Sequence, residues 1–142
     1  MSNSGRKSYD FSNAVSLPVK FKLPPTRFER VKAYPNAILP ERATTDSVGY
    51  DMFCAKTTVV EPHTIALIPT GVKCYLKNWT RSWLMLALRS SAPRKKGLML
   101  ANGVGVIDAD YVDNEDNEGH IMIQVYNFTD KAVTVAEGER IA

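Results

Sequence analysis

The stretch from Ala101 to Tyr111, ANGVGVIDADY, holds an amide, two carboxylates, a phenol and two glycines within eleven residues. Val104, Val106 and Ile107 give the same stretch the β-branched content of a strand. A segment apolar enough to be half-buried that still carries Asn102, Asp108, Asp110 and Tyr111 places polar groups where a plain core would exclude them. Asp108 could orient a water there, and Tyr111 could offer its ring face to a sugar or base. Gly103 and Gly105 let the backbone bend or approach a ligand closely. A second group, Arg89-Ser90-Ser91, suits phosphate oxygens, the arginine through charge-assisted hydrogen bonds and the serines through neutral ones. A third, Gly49-Tyr50-Asp51, adds one more carboxylate. Phosphate, water and nucleoside together suggest nucleotide hydrolysis. The ordinary alternative is a strand with a bend and a turn carboxylate. Likewise, Arg89, Arg94, Lys95 and Lys96 read as a solvated loop unless they meet Asp108 in space.

The elements that position these residues are strands. Residues 1–25 read as a polar, partly flexible N-terminal arm and 26–142 as one folded domain. A weak first strand is expected over Thr26 to Tyr34, and a second is entered at Tyr50 to Phe53 after a polar turn. The span from Val59 to Leu76 predicts two strands broken by Pro62 and by the Pro69-Thr70-Gly71 turn. WLMLALRS, 83–90, is of strand length with Arg89 and Ser90 on its edge, SAPRKKG is turn-rich, IMIQVYNF alternates, and the chain closes through a turn at Glu137-Gly138. No apolar 3.6-residue period persists for three turns, so the expected class is an all-β barrel or sandwich.

Length and composition narrow the function classes. With 142 residues, 44% hydrophobic and 23% charged, the chain suits one soluble domain with a sizeable core. The net charge of +3 is too mild to argue for a nucleic-acid partner. No run reaches membrane-span length, and MSNSGRKSYD lacks the apolar core of a secretory signal, so a cytoplasmic protein without a membrane partner is expected. Cys54 and Cys74 stand apart and read as reduced, buried hydrophobes. His63 and His120 have no partner at ligand spacing, which argues against zinc.

Taken together and in order, the motifs resemble those of the trimeric dUTPase family over residues 26–142. Val48-Gly49-Tyr50-Asp51-Met52 is similar to the family's first motif, and Arg89-Ser90-Ser91 through Lys95 and Gly97 to its second. Asn102, Gly105, Ile107, Asp108 and Tyr111 meet the third without a gap, and Gly138 to Ala142 begin the fourth. The resemblance implies a jelly-roll-like β-barrel assembled as a homotrimer, with active sites where subunits meet. It implies hydrolysis of dUTP to dUMP and pyrophosphate, which limits uracil in DNA and supplies dUMP for dTMP synthesis. It also implies Mg²⁺ held by the triphosphate and waters, with no direct protein ligand. By the same resemblance Asp108 positions the attacking water and Asp51 supports the metal–water network. Tyr111 packs on deoxyribose, and Asn102 with the hairpin backbone at Gly105, Val106 and Ile107 reads uracil. Ile121 and Met122 line the same site, while Arg89, Ser90 and Ser91 hold phosphates.

Two departures from the pattern set further expectations. Gly119 follows Tyr111 by eight residues where the family places glycine at two, and the inserted VDNEDNE reads as a solvated hairpin tip. A metal, specificity or partner contact is the alternative for its acidic side chains. The family's glycine-rich fifth motif does not follow Ala142, so weak binding and slow turnover are expected of the chain as written. A non-catalytic nucleotide-binding relative and a dCTP deaminase of the same fold are the alternatives. The latter is disfavoured because Gln124 stands where deaminases carry a glutamate base.

Overall fold

The computed structural model describes residues 26–76 and 82–142. The expected N-terminal arm lies outside the described residues. Among the described residues nine short strands and one short α-helix follow in order: β1 Arg27–Arg30, β2 Thr58–Val60, β3 Ile65–Pro69, β4 Val72–Tyr75, β5 Trp83–Leu86, α1 Ser91–Lys96, β6 Leu98–Leu100, β7 Gly105–Asp108, β8 Met122–Asn127 and β9 Val133–Val135. All pairings are antiparallel: β1 with β4, β2 with β9, β5 with β7, and β8 flanked by β3 and β6. This is the expected all-β, jelly-roll-like architecture, drawn as small sheets on one core rather than one hydrogen-bonded barrel.

β8 shows how the sequence builds that core. Its side chains alternate, so Ile123, Val125 and Asn127 are buried while Met122, Gln124 and Tyr126 look outward. The buried set meets Val60, Ile68, Val72, Leu98, Val135 and Ile141. Asn127 is polar in this company because β8 ends there and neighbouring backbone groups need partners. Its Nδ2 donates to the carbonyls of Val60 (2.9 Å) and Lys131 (2.8 Å), and its Oδ1 accepts from the Thr129 amide (2.9 Å) and hydroxyl (2.8 Å). Cys54 and Cys74 are buried and unpaired, as expected.

Several local expectations are corrected. The turn-rich 91–96 stretch is a helix, too short for any apolar period to show. Ala92 faces the core, Pro93 sits within the first turn where its missing N–H is harmless, and Gly97 ends the helix at φ 68°. The 59–76 region forms three strands, because Pro62 and Thr70-Gly71 each cause a separate break. Tyr50 to Phe53 make only the isolated bridges Glu41–Asp51 and Phe53–Arg140. β1 stops at Arg30, since the Val31 amide turns to the Gly71 carbonyl at 3.0 Å. β5 ends at Leu86, so Arg89 and Ser90 lead into α1 rather than lie on a strand edge.

Candidate active site

The stretch from Ala101 to Tyr111, whose ordinary reading is a strand with a bend, is a turn, a strand and a 3₁₀ turn. β6 ends at Leu100, and the next residues fold back with the Gly103 amide on the Leu100 carbonyl (3.2 Å) and Gly103 at φ 73°. Val104 therefore sits exposed on the turn, and pairing resumes at Gly105 opposite Leu86, running to Asp108 opposite Trp83. A Cβ on Gly105 would stand 2.9 Å from the Leu86 Cβ, so glycine is needed there for close approach of β5. Beyond Asp108, Ala109 buries itself and Asp108 and Asp110 remain exposed on either side of it.

These turns open onto a cleft of about 640 Å³. Asn102, Gly105, Val106, Ile107, Asp108 and Tyr111 line it, and Ile121 and Met122 join them across the start of β8. Gln124, Asp110, Leu67, Leu86 and Leu100 complete the wall together with Asp116, for which a specificity contact is the alternative reading, and two residues that sequence reasoning missed, Asn114 and Asn117. The missed residues belong to the insertion. Its two asparagines were the available signal, because that side chain closes turns on its own backbone.

The insertion is not a free tip. Asn114 Oδ1 accepts the amides of Asp116 and Asn117 (both 3.0 Å), and Asn117 Oδ1 accepts from Asn114 Nδ2 (2.9 Å) and the Gly119 amide (3.0 Å). Gly119 returns so close that an added Cβ would lie 2.6 Å from the Val112 Cα. The insertion thus leaves and rejoins the chain at nearly one point. Its two shoulders, Asp113 and Glu118, meet the largely buried Lys73 of β4 at 2.5 and 3.0 Å. Asp113 also accepts the Tyr75 hydroxyl (2.7 Å), and Glu118 accepts the Lys32 amide (3.0 Å). Lys73 and then Tyr75 hold the Asp113 carboxyl below the usual range, while the Lys32 amide and then Lys73 do the same for Glu118.

Tyr111 stands where the loop meets the cleft. Its hydroxyl donates to the His120 carbonyl (3.2 Å) and accepts from Asn117 Nδ2 (2.7 Å). The His120 ring packs beside Tyr34, and its Nε2 accepts the Gly71 amide at 2.8 Å, so the neutral ring carries its proton on Nδ1. Burial pushes this imidazole below its ordinary pKa.

The phosphate-type residues line hollows other than this cleft. Arg89 and Ser91 line a shallow hollow of about 300 Å³ with Lys95, Lys96, Glu139 and Arg140, and Ser90 lines an adjoining one with Arg89, Leu100 and Gly103. Asp51 reaches this region through an ion pair to Arg140 Nη1 at 2.7 Å. Lys96 pairs with Glu139 at 2.9 Å and donates to the Thr134 carbonyl, so the basic run is partly tied down rather than a fully solvated loop. Within a single chain Arg89 to Ser91 and Asp51 do not line the Asp108 cleft. His63 pairs with Asp130, and no group of three or more His, Cys, Asp or Glu that could hold a metal occurs among the described residues. No helix of the described residues is long and apolar enough to cross a membrane.

An apolar surface flanks the cleft. Ile65 and Met99 sit on either side of Tyr126 across the β3–β8–β6 sheet, and Met85 faces Val106 across β5–β7. Ile65, Leu67, Trp83, Met85, Met99 and Val106 are each 46% exposed or more. Leu67 and Val106 also form part of the cleft wall.

Comparison with known proteins agrees with this geometry. The dUTPase family model matches residues 35–142. Over 116 residues the chain is 50% identical to the deoxyuridine 5'-triphosphate nucleotidohydrolase of Lactococcus lactis subsp. lactis, a match covering 80% of this chain and 76% of that protein. The enzyme of the same name from Stutzerimonas stutzeri is 41% identical over 73% of this chain, and the match spans 66% of its length. The crystal structure of dUTPase from Streptococcus mutans superposes with a TM-score of 0.75 at 46% identity, covering 80% of this chain and 88% of that one. A Staphylococcus bacteriophage 80alpha dUTPase variant solved with dUpNHpp gives a TM-score of 0.65 at 25% identity, covering 82% and 78%. With a family match that spans the residues building the cleft, and a bacterial relative at half identity over most of the chain, the chain belongs to the dUTPase family.

Proposed function

We propose that this protein hydrolyses dUTP to dUMP and pyrophosphate in the cytosol, as a homotrimer. The observation that carries the reading is one cleft that joins an exposed carboxylate, Asp108, to an aromatic ring, Tyr111, and an amide, Asn102. Among the described residues the Asp108 side chain has no hydrogen-bond or ion-pair partner, so both oxygens are available to orient a water and take its proton. Tyr111, held at its hydroxyl, presents a fixed ring to the deoxyribose. Asn102 and the backbone of Gly105 to Ile107 read the uracil edge, and Ile121 and Met122 supply the apolar wall. Strict reading follows because a wrong base leaves buried polar groups unpaired.

The phosphates are assigned to Arg89, Ser90 and Ser91, with Asp51 acting beside them through Arg140. Their separation from the Asp108 cleft within one chain supports sites completed between copies, and the exposed apolar surface beside the cleft is suited to be covered by a neighbour. Magnesium, when bound with the triphosphate, supplies charge neutralisation at the phosphate oxygens. The donor set fits such an ion. Asp108 and Asp110 offer hard oxygens on the cleft that can accept hydrogen bonds from its waters, and no protein cage is required. Gln124 lines the same cleft, but an amide cannot take up a proton, so nothing here favours deamination.

The test is pyrophosphate release from dUTP, beside dCTP, dTTP and UTP, with magnesium, for the native chain and Asp108→Asn. Selective dUTP turnover is expected, with kcat falling by roughly 10²- to 10⁴-fold in the variant. Unselective hydrolysis, or a variant as active as the native protein, would overturn the assignment. Sedimentation equilibrium tests the trimer in the same preparation.

A further inference from the structure

We propose that the 112–118 loop is a sugar-discrimination clamp, in which Asn117 fixes the Tyr111 ring and Lys73 locks the loop that carries Asn117. The inference rests on the reading of Tyr111 as the deoxyribose-facing residue. It adds two positioning residues, one of them on a distant strand.

Three observations carry it. Tyr111 is tethered at its far end, where its hydroxyl is held between the Asn117 side chain and the His120 carbonyl. A ring tethered at both ends cannot swing aside to admit a 2′-hydroxyl, whereas a ring tethered only at Cβ can. Asn117 is in turn immobilised, since its amide, its Oδ1 and its carbonyl all hold other loop groups. The loop itself is in a conformation that its residues do not favour. Asp113 and Glu118 sit at φ 59° and 64°, both in the left-handed region and neither a glycine.

A loop with two such residues needs support from outside, and Lys73 supplies it. Its ammonium bridges both left-handed residues, touching Asp113 Oδ1 and Glu118 Oε1, while its side chain is only 9% exposed. Those contacts cross 40 and 45 residues of sequence. Each partner needs the other: a largely buried lysine requires counter-charges, and both that it has among the described residues come from the loop. Tyr75 on the same strand adds its hydroxyl to Asp113, so β4 holds the loop shoulders as a unit.

The experiment measures kcat/KM for dUTP and for UTP in the assembled protein and takes their ratio. Tyr111→Ala serves as the reference, Asn117→Ala removes the tether, Lys73→Met removes the lock, and the double variant tests whether the two act through one element. Asn117→Ala is expected to lower the dUTP/UTP ratio by about five- to tenfold, the worth of one hydrogen bond. Lys73→Met should lower it comparably, and the double variant no further than the larger single effect. Because Asn117 is exposed, that variant folds even where Lys73→Met does not. An unchanged ratio in Asn117→Ala, alongside a collapsed ratio in Tyr111→Ala, overturns the clamp. Lys73→Met that lowers thermal stability but keeps the ratio overturns the role of Lys73. An unchanged ratio in Tyr111→Ala would instead refute the sugar-facing reading itself.

Discussion

Replacing Gly119 with alanine tests the loop geometry with a single methyl group. Gly119 has φ 79°, where an alanine pays about 1–2 kcal/mol in backbone strain. The new Cβ would also lie 2.6 Å from the Val112 Cα and 2.9 Å from the Asp113 nitrogen and the Tyr111 oxygen. All three are backbone atoms and cannot rotate out of the way, so overpacking adds roughly 1–3 kcal/mol. The combined strain is thus about 2–5 kcal/mol. The loop can escape it by opening, which sacrifices the bonds from the Asp113 amide to Glu118, the His120 amide to Asn117 and the Gly119 amide to Asn117. At about 1 kcal/mol each, that route limits the loss to about 3 kcal/mol. Gly119→Ala is therefore expected to lose about 2–3 kcal/mol with the loop released. Urea unfolding at fixed protein concentration reads this as a midpoint shift of about 1 M. Hydrogen exchange should show protection lost at the amides of Asp113, Gly119 and His120, which are hydrogen-bonded in the native loop. A midpoint unchanged within about 0.2 M, with those amides still protected, would refute the self-contact at Val112.

Three further expectations follow. His120 is held neutral by burial and by accepting the Gly71 amide, so its folded pKa lies below the unfolded value of about 6.5. Stability is then complete above about pH 6.5 and declines as pH falls through it, because the unfolded chain takes up a proton that the fold refuses. Urea midpoints between pH 8 and 5 should show this decline in the native protein and a smaller one in His120→Gln, and equal slopes would refute it. The Cys74 thiol is pushed up to about 11 by burial and the Cys54 thiol is raised for the same reason, so neither should react with a thiol reagent at pH 8 until the protein unfolds. Rapid labelling of the native protein would contradict the packing. Asn127→Leu strands the buried Val60 carbonyl and removes the part-buried bonds to the Lys131 carbonyl and the Thr129 amide, and should cost about 2–4 kcal/mol, a loss below about 1 kcal/mol being inconsistent with those bonds.

The fold class and much of the cleft were legible in the chain because they rest on local chemistry. Residues 122–127 alternate at the strand period, proline and glycine punctuate the strands, and the span from Asn102 to Tyr111 combines polar groups with β-branched residues. Such patterns follow from backbone sterics and from burial of one face, which operate over a few residues. The short helix was not legible: six residues hold too little periodicity, and its Ser, Pro and Gly also serve turns.

What the tertiary structure alone decided is which distant groups meet. An acidic insertion usually projects into water, and nothing in its spacing shows that Lys73 lies beneath it. The buried ammonium draws Asp113 and Glu118 inward across 40 and 45 residues, and the insertion closes on itself at Gly119. Gly105 carried the opposite ambiguity: its composition allowed close approach of a ligand, and the neighbour that requires glycine is Leu86 on β5. The grouping of Arg89, Ser91 and Arg140 in a hollow other than the Asp108 cleft has the same origin. Local sequence specifies torsion preferences and which faces avoid water. Charge pairing and close packing depend on the distance between segments, which exists only once the chain has folded.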